Sequence, residues 1–181
     1  ISDVEFDEDG SYSTTLIVSD ADGDDLTYSV SEGIDITASL IGLDLTFNAP
    51  AHFNGSESFI ITVSDGNLSV SQSFTVTVIA VNDPPTADAA SGTTDEDQSI
   101  VITLTGDDID GDNLTFSLDA DASNGSVLIS GTVATYMPNL DFNGDDSFTF
   151  NVSDGDLSAT AEVTLTVDAI NDAPVLATVS D

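Results

Sequence analysis

The stretch "SFTFNVSDGDLSATAEVTLTV", residues 147–167, decides the fold class of this chain. Its first half places Phe148, Phe150 and Val152 on one side and polar residues on the other, and its second half alternates in the same way through Val163 and Val167. Strict alternation in runs rich in Val, Phe and Thr is typical of half-buried β-strands, and the Asp-Gly pair between the runs indicates a turn. The stretch therefore predicts two half-buried strands joined by a turn.

The same alternation recurs along the chain, for example in "LTYSV" (26–30) and "LTFSL" (114–118), and helical spacing does not occur over a useful length. Each half of the chain offers about seven such runs, which is the number of strands in a two-sheet sandwich. Continuous strands are predicted at 86–93 and 98–105, among others. The predicted fold class is all-β.

The chain contains one repeat twice. "VSDADGDDLTYSV" (18–30) returns as "GDDIDGDNLTFSL" (106–118), and "VNDPP" (81–85) returns as "INDAP" (170–174), so the copies are 88 or 89 residues apart. Units of about 90 residues have the size of a single domain, and a fixed period indicates an array. We predict one domain at 1–83, a second at 84–172, and the start of a following repeat at 173–181. Pro84 and Pro85 make the linker short and stiff.

The charge of the chain has one sign. It contains 34 acidic residues, of which six are Glu and 28 are Asp, and it contains no Lys or Arg, so its formal charge is −34. Nucleic acids and anionic membranes both require a basic surface, so these partners are excluded. The absence of Cys excludes disulfides and thiolate sites, and no apolar run has the roughly 20 residues that span a bilayer. The charge repulsion of a folded chain of this kind must be relieved by bound cations or salt.

Acidic and amide residues cluster at four places in each unit, next to predicted strand ends. These places are the "DED" near the start, the "DxDGD" loop, the "VSDG" turn and the "ND" of the linker. Ca²⁺ takes six to eight oxygen ligands, often from several loops, whereas Mg²⁺ prefers to keep water and Zn²⁺ requires His or Cys. Any single loop is better interpreted as an ordinary Asp-Gly or Asn-Gly turn. The "DxDGD" loop is also not an EF-hand, because Ser31 stands where the bidentate Glu is needed. The recurrence of all four places predicts calcium binding.

The motifs together resemble a known family. The order of a Glu near the start, "DAD" after the second strand, "SDG" before the last strand and "ND-x-P" at the end is similar to cadherin repeats. The stretch "FNGDDSFTFNVSDG" (142–155) with "NDAP" (171–174) resembles the "FNG-x-DSFTY-x-VSDG" and "VNDAP" of the cadherin-like repeats of large bacterial surface and adhesin proteins. The likeness covers both units almost from end to end. It implies two tandem seven-stranded Greek-key sandwiches of the cadherin or immunoglobulin-like type.

The resemblance also implies a set of calcium ligands, with the ions lying between successive domains. Glu8, Asn82 and Asp83 are then expected to meet Asp108, Asp110 and Asp154, while the remaining ligands form half-sites for further repeats. Asp24 and Asp112 are second candidates. Because His52 and Ala80 replace acidic residues of typical cadherin repeats, we expect fewer ions than those repeats hold. The predicted ligands are Glu8, Asp20, Asp22, Asp65, Asn82, Asp83, Glu96, Asp108, Asp110, Asp141, Asp154, Asn171 and Asp172.

These features predict an extracellular, calcium-rigidified extender or adhesion module of a large bacterial surface protein, whose partners are neighbouring repeats of the same chain. The alternative is a module for calcium-dependent homophilic adhesion or for polysaccharide binding. An enzyme is the least favoured class, because the acids are distributed symmetrically between two repeats and the single histidine, His52, occurs in one copy.

Overall fold

The structure, a computed structural model, describes residues 1–174, so most of the predicted start of a following repeat lies outside the described residues. The described part contains sixteen β-strands and no helix, which confirms the predicted all-β class. The chain divides into two compact units, of which the first is Ile1–Asn82 and the second begins at Asp83.

The first unit is a sandwich of a four-stranded and a three-stranded sheet. The four-stranded sheet has the order β1-β7-β6-β3, and the three-stranded sheet has the order β2-β5-β4. β1 pairs with β7 in parallel, and all other pairs are antiparallel. The strands are β1 (Val4–Asp7), β2 (Ser11–Thr15), β3 (Thr27–Val30), β4 (Thr37–Ile41), β5 (Asp44–Asn48), β6 (Gly55–Ser64) and β7 (Ser69–Ile79).

Aromatic rings fill the space between the two sheets of the first unit. Phe47 and Phe59 are fully buried, and their ring centroids lie 5.1 Å apart in an edge-to-face arrangement. Phe74 adds a second edge-to-face contact to Phe47 at 5.9 Å. Each ring comes from an inward position of an alternating strand, and the residues on either side of it face outward, as the period of two requires.

The second unit repeats this arrangement and adds two short strands. The four-stranded sheet has the order β12-β15-β16-β9, with β9 parallel to β16, and the three-stranded sheet has the order β10-β14-β13. A separate pair joins β8 to β11. The strands are β8 (Thr86–Ala87), β9 (Ala90–Asp95), β10 (Ile100–Thr103), β11 (Gly106–Asp107), β12 (Thr115–Ala120), β13 (Gly125–Ser130), β14 (Val133–Pro138), β15 (Gly144–Ser153) and β16 (Ser158–Asp168).

The prediction of a continuous strand at 86–93 was wrong. This segment is divided into β8 and β9, because the chain leaves its antiparallel partner β11 after Ala87 and pairs with β16 from Ala90 onward. The strand predicted at 98–105 is β10, which is shorter and pairs with β14, and β11 follows after the predicted range and pairs with β8. Asp88 and Ala89 are both exposed, so the inward-facing positions shift by one residue between β8 and β9.

Candidate metal centre

The predicted ligands of the second unit lie at its two opposite ends. At one end of β16, Ser158 pairs with Ser153 across the turn that contains Asp154, and at the other end Asp168 pairs with Asp95, the residue before Glu96. The eleven residues of β16 separate these ends by about 35 Å at the usual rise per residue. The unit therefore carries two separate groups of carboxylates.

The group near the start of the second unit is referred to below as the entry cluster, and it comprises Asp83, Asp108, Asp110 and Asp112. One carboxylate oxygen from each of Asp108, Asp110 and Asp112 lies within 4.8 Å of the others. Asp110 Oδ2 also accepts a hydrogen bond of 2.8 Å from the N–H of Asp83. Two oxygens that bind one Ca²⁺ at about 2.3–2.6 Å can be up to about 5 Å apart, so this spacing fits a shared ion.

The loop of the entry cluster is shaped by Asp108 itself. Its Oδ1 accepts hydrogen bonds from the backbone N–H groups of Asp110 (3.0 Å) and Asp112 (3.2 Å), which closes a tight turn. Gly111 adopts a φ of 78°, a left-handed conformation that is accessible to glycine without strain. The sequence Asp-x-Asp-Gly-Asp thus places three carboxylates around one turn.

The second oxygen of Asp108 is the unusual feature of this cluster. Asp108 Oδ2 is shielded from solvent and has no hydrogen-bond partner among residues 1–174. A buried carboxylate oxygen without a donor is unfavourable unless a cation or proton compensates it. A cation held by Asp108, Asp110 and Asp112 would provide that compensation.

The equivalent loop of the first unit has the same local geometry. Asp20 Oδ1 accepts hydrogen bonds from the N–H groups of Asp22 (2.8 Å), Gly23 (2.9 Å) and Asp24 (3.3 Å). The carboxylates of Asp22 and Asp24 lie on the exposed side of this turn. The repeated "DxDGD" sequence thus forms a repeated turn.

The two "SDG" aspartates shape hairpin turns. Asp65 Oδ1 accepts hydrogen bonds of 2.7 Å from the N–H groups of both Asn67 and Leu68, and these bonds hold the pKa of the Asp65 carboxyl below its ordinary value. Asp154 Oδ1 makes the corresponding bonds to Asp156 (2.7 Å) and Leu157 (2.6 Å). One oxygen of each predicted ligand is therefore already engaged by the turn.

The group at the far end of the second unit is referred to below as the exit cluster, and it comprises Glu96, Asp97, Asp141, Asn143 and Asp172. Glu96 is 6% exposed, and its oxygens accept hydrogen bonds from the N–H of Ile170 and from Asn143 Nδ2 (3.3 Å). Desolvation, followed by repulsion from the carboxylates of Asp172, Asp97 and Glu96, raises the pKa of the Asp141 carboxyl. Because the chain contains no Lys or Arg, neither of these residue types balances the carboxylates of the cluster.

Glu8 occupies in the first unit the position that Glu96 occupies in the second. It is 6% exposed, its Oε1 accepts a hydrogen bond of 2.6 Å from the N–H of Val81, and its Oε2 is buried without a partner. Asn82, the last residue of this unit, follows Val81 and is exposed. Glu8 therefore shares one feature with Asp108: each has a shielded carboxylate oxygen that accepts no hydrogen bond from the described residues.

Sequence reasoning ranked some members of these clusters too low. Asp112 was a second candidate, yet one of its oxygens lies within 4.8 Å of oxygens of Asp108 and Asp110, and Asp97 and Asn143 were not proposed as ligands. The signal for the last two was present, since Asp9 and Asn54 stand at the equivalent positions of the first repeat. Asn171, by contrast, is exposed, and its side-chain amide donates to the carbonyl of Asp172.

Other acids of the chain have a structural use. Asp146 accepts hydrogen bonds from the N–H groups of Ser123 (3.1 Å) and Asn124 (2.9 Å) and from the hydroxyl of buried Tyr136 (2.9 Å). Glu57 holds the loop at 34–36 of the first unit through three backbone N–H groups. These carboxylates hold the loops between sheets in place.

A cavity of about 400 Å³ in the first unit is lined by Leu16, Ile17, Val63 and Val70, among others. No Asp, Glu or His lines it. In the second unit the equivalent Leu104 and Val152 are almost fully buried, and β8 packs at this place.

The described residues contain no helix long and apolar enough to cross a membrane.

Two Greek-key β-sandwiches in tandem, each with carboxylates at its ends, define a repeat module of the immunoglobulin-like and cadherin-like class. A family model described as "Bacterial Ig domain" matches residues 1–79 and again residues 82–166. The chain therefore belongs to the bacterial Ig domain family, in two tandem copies, which is consistent with the predicted bacterial cadherin-like repeat. No curated protein matches the chain in sequence.

Among solved structures, the chain is similar in fold to cadherin domains. It covers 88% of human protocadherin-24 EC1-2, with 88% of this chain aligned at 14% identity and a TM-score of 0.53. Protocadherin gamma B7 domains 1–4 give a TM-score of 0.54 at 15% identity over 94% of this chain and 50% of that chain. An endo-fucoidan hydrolase of glycoside hydrolase family 107 matches at 24% identity over 94% of this chain, with a TM-score of 0.42. The chain spans only 28% of the length of that hydrolase.

Proposed function

We propose that this chain is a calcium-binding extender module of a larger extracellular bacterial surface protein. The family and the tandem cadherin-like fold support an extender or adhesion type of module. Domains of this type are typically non-catalytic, which agrees with the structural use of Asp146 and Glu57. The calcium ion and the extracellular, surface-attached location are parts of the proposal.

A single observation carries the calcium proposal. Asp108 has a buried carboxylate oxygen without a partner, and it lies beside the carboxylates of Asp110 and Asp112 in a chain without Lys or Arg. The ligand set contains only oxygen, the spacing fits a large hard cation, and the loop is closed by its own backbone hydrogen bonds. Glu8 supports the proposal with a second shielded and partnerless oxygen.

The mechanical role follows from the place of the entry cluster in the chain. Asp83 is bonded through its N–H to Asp110 and directly follows Asn82, the last residue of the first unit. An ion on Asp108 and Asp110 would therefore fix the residue at which the second unit begins. Without the ion, several carboxylates repel one another beside the linker, which loosens it and exposes it to proteases. Sharing of the ion with Glu8 and Asn82 stays a prediction.

Calcium titration of the intact chain tests the proposal. We expect saturable heat release in calorimetry, with a Kd of about 10⁻⁴–10⁻³ M as in extracellular modules, and a higher Tm in calcium than in MgCl₂ at the same ionic strength. The double variant D108N/D110N should lose most of this gain. Glu162→Gln removes an exposed charge on β16, far from the clusters in sequence, and should keep it.

The proposal fails if magnesium and calcium raise the Tm equally, because the effect is then only charge screening. It also fails if D108N/D110N keeps the full calcium response. Limited proteolysis near residues 81–89 gives a second readout, with calcium expected to slow cleavage in the parent chain and not in the double variant.

A further inference from the structure

The cavity of the first unit is an open groove between its two sheets, referred to below as the β2–β6 groove. Val63 of β6 and Leu16, directly after β2, form part of its walls, and both side chains are only partly buried. Ile17 beside them is 99% exposed. Burial of apolar surface is the main stabilising contribution to a fold, so apolar walls left open at the edge of a core indicate a place for another apolar group.

The second unit shows what covers such a groove. Its equivalent residues Leu104 and Val152 are 1% and 0% exposed, and Ala87 of β8 packs against the core that contains both of them. Pro85, the residue before β8, is buried as well. A short extended segment with two inward side chains therefore closes the edge of the second sandwich.

Backbone hydrogen bonds hold this covering segment in place. β8 pairs with β11, and the N–H of Asp88, directly after β8, donates a hydrogen bond of 3.0 Å to the carbonyl oxygen of Thr105. Ile17 is the first-unit equivalent of Thr105, and residues 16–20 belong to none of the described strands. The rim of the β2–β6 groove is therefore a place where a strand can add through its backbone.

The chain contains a second segment with the pattern of β8. The stretch "NDPPTAD" (82–88), which contains β8, returns as "NDAPVLA" (171–177), so Leu176 stands at the place of Ala87. From Ala173 to its end this second stretch has no charged side chain, and no Asp, Glu or His lines the groove. The corresponding place in the second unit is already occupied by β8, whereas the groove of the first unit is open.

We propose that the β2–β6 groove binds residues 173–177 of a second copy of this chain as an added strand. The first unit has Val18 where the second unit has Gly106, and its side chain holds an added strand farther from the sheet than β8 lies. A longer side chain is then needed to reach the core. Leu176 provides this length, whereas Ala87 does not.

The contact joins different parts of the two copies. The groove belongs to the first unit and the added strand follows the second unit, so each copy offers one of each and the association is head-to-tail. Ile1 lines the groove at the position that Ala89 has in the second unit. The added strand therefore fits as far as Ala177, and the residues after it leave the groove.

An extended and uncharged strand fits the groove better than other occupants. It uses both the apolar walls and the backbone at the rim, whereas a small apolar ligand would use the walls alone. An acidic peptide would be repelled by a chain with a formal charge of −34. The same charge opposes the approach of two copies, so the contact is weak, and we expect a Kd of about 10⁻⁴–10⁻³ M for the isolated segment.

A capped peptide of residues 173–177 tests the groove without the charge of a second copy. At a few times its Kd, it should slow the hydrogen exchange of the backbone amides of residues 16–20 in the intact chain by about threefold or more. The peptide with Leu176→Asp should have no effect. The peptide of residues 84–88, which contains β8, should protect these amides less, because its alanine is too short.

Cysteine cross-linking tests the register, because the natural chain contains no Cys. Thr86 pairs with Asp107 in the second unit, so Val175 of the peptide should lie opposite Ser19 of the first unit. Ser19→Cys should form a disulfide with the Val175→Cys peptide at least about tenfold faster than Asp107→Cys, whose partner position is filled by β8. Circular dichroism establishes that each variant of the chain is folded.

Sedimentation equilibrium tests the association of whole copies. In about 0.5 M NaCl, where charge repulsion acts only within about 4–5 Å, the parent chain should form head-to-tail oligomers as its concentration rises. Leu176→Asp should weaken this association by about tenfold or more, because it places a charge in the groove. Val179→Asp adds the same charge after the docked residues and should leave the association unchanged.

The proposal is overturned if the peptide leaves hydrogen exchange unchanged or if Ser19→Cys and Asp107→Cys react equally fast. A parent chain that stays monomeric up to about 1 mM in the same salt also overturns it, as does equal association of Leu176→Asp and Val179→Asp. The measurements run in chelator and in calcium. Because no carboxylate lines the groove, their outcome is independent of the calcium proposal.

Discussion

At the scale of single residues, Glu8 has the same electrostatic problem as Asp108. Its side chain is almost fully buried, only one oxygen has a donor among the described residues, and the chain has no Lys or Arg to balance the charge. A buried charge without a partner lowers the free energy of unfolding and so destabilises the protein. A bound cation would restore this stability. Such residues therefore distinguish a metal site from a group of solvated acids.

The variant Glu8→Gln is expected to stabilise the chelated protein and to weaken its response to calcium. The amide oxygen can still accept the hydrogen bond from Val81, while the charge is lost, so the chelated form should gain on the order of 1 kcal/mol, or about 4–8 °C in Tm. Scanning calorimetry in chelator and in calcium measures both effects.

The matched control is Glu5→Gln, which removes a charge from an exposed position of the same strand β1. It should change the Tm little in chelator and should leave the gain in calcium intact. If Glu8→Gln destabilises the chelated protein instead, the carboxylate is balanced by contacts within the fold, and its role as a ligand is lost.

A second prediction at this scale concerns the buried Tyr136. Desolvation, followed by the hydrogen bond to Asp146 and the charge of that residue, raises the pKa of the Tyr136 hydroxyl above its ordinary value of 10.0. The unfolded chain releases this proton near pH 10, while the folded chain keeps it. The stabilisation is therefore complete below pH 10 and decreases as the pH rises above it.

Tyr136→Phe should cost about 1–2 kcal/mol at pH 8, because Asp146 loses one donor, and the difference from the parent chain should shrink toward pH 11. Urea unfolding at both pH values measures it. Tyr28→Phe, which keeps Tyr136, serves as the control and should reproduce the alkaline slope of the parent chain. An unchanged difference at pH 11 would contradict the raised pKa.

At the scale of elements, the contact between β8 and β11 requires a glycine. A Cβ atom added at Gly106 would overlap the carbonyl oxygen of Thr86, its neighbour in the paired strand. The first unit has Val18 at this position, and β8 has no counterpart among its described strands. The glycine thus allows the close approach of two backbones.

Gly106→Val should therefore displace β8 and destabilise the second unit by about 1–3 kcal/mol. Faster protease cleavage within residues 83–89 should accompany the loss, since these residues lose their strand partner. The control is Val18→Ala, at the equivalent position of the first unit. It should not change the rate of cleavage within residues 83–89. Equal cleavage of the parent chain and Gly106→Val would show that β8 does not depend on this contact.

Sequence reasoning predicted the strands well because each of them buries one face, and a buried face imposes a period of two on its residues. β15 and β16 have clear alternation and occupy the two places that the stretch 147–167 predicts. The division between β8 and β9 was missed because residues 86–93 contain no large apolar side chain, so the shift of the inward positions at Asp88 and Ala89 leaves no mark in the sequence. Asp97 and Asn143 were missed although Asp9 and Asn54 repeat them in the first unit, because repetition alone does not show that loop geometry brings these two residues next to Glu96.

At the scale of the whole molecule, stability depends on the salt concentration because nearly all charged side chains are negative. The side chains carry 34 acidic groups and no Lys or Arg, so almost every charge interaction in the folded state is repulsive. Screening reduces these repulsions as the Debye length decreases from about 10 Å at 0.1 M to about 3 Å at 1 M salt. Unfolding separates the charges, so low salt favours the unfolded chain.

The Tm of the chelated protein should therefore increase steadily with NaCl between about 0.05 and 1 M, whereas bound calcium should add a gain that saturates and remains at high salt. Thermal scans over this range, with and without calcium, separate the two effects. D108N/D110N should keep the NaCl dependence almost unchanged, since it removes two of the 34 acidic groups, and should lose the saturable gain. A Tm independent of NaCl would mean that the repulsion is already balanced within the folded units. A calcium gain that disappears in 1 M NaCl would mean that calcium acts on the general charge of the surface rather than on the shielded oxygens of Asp108 and Glu8.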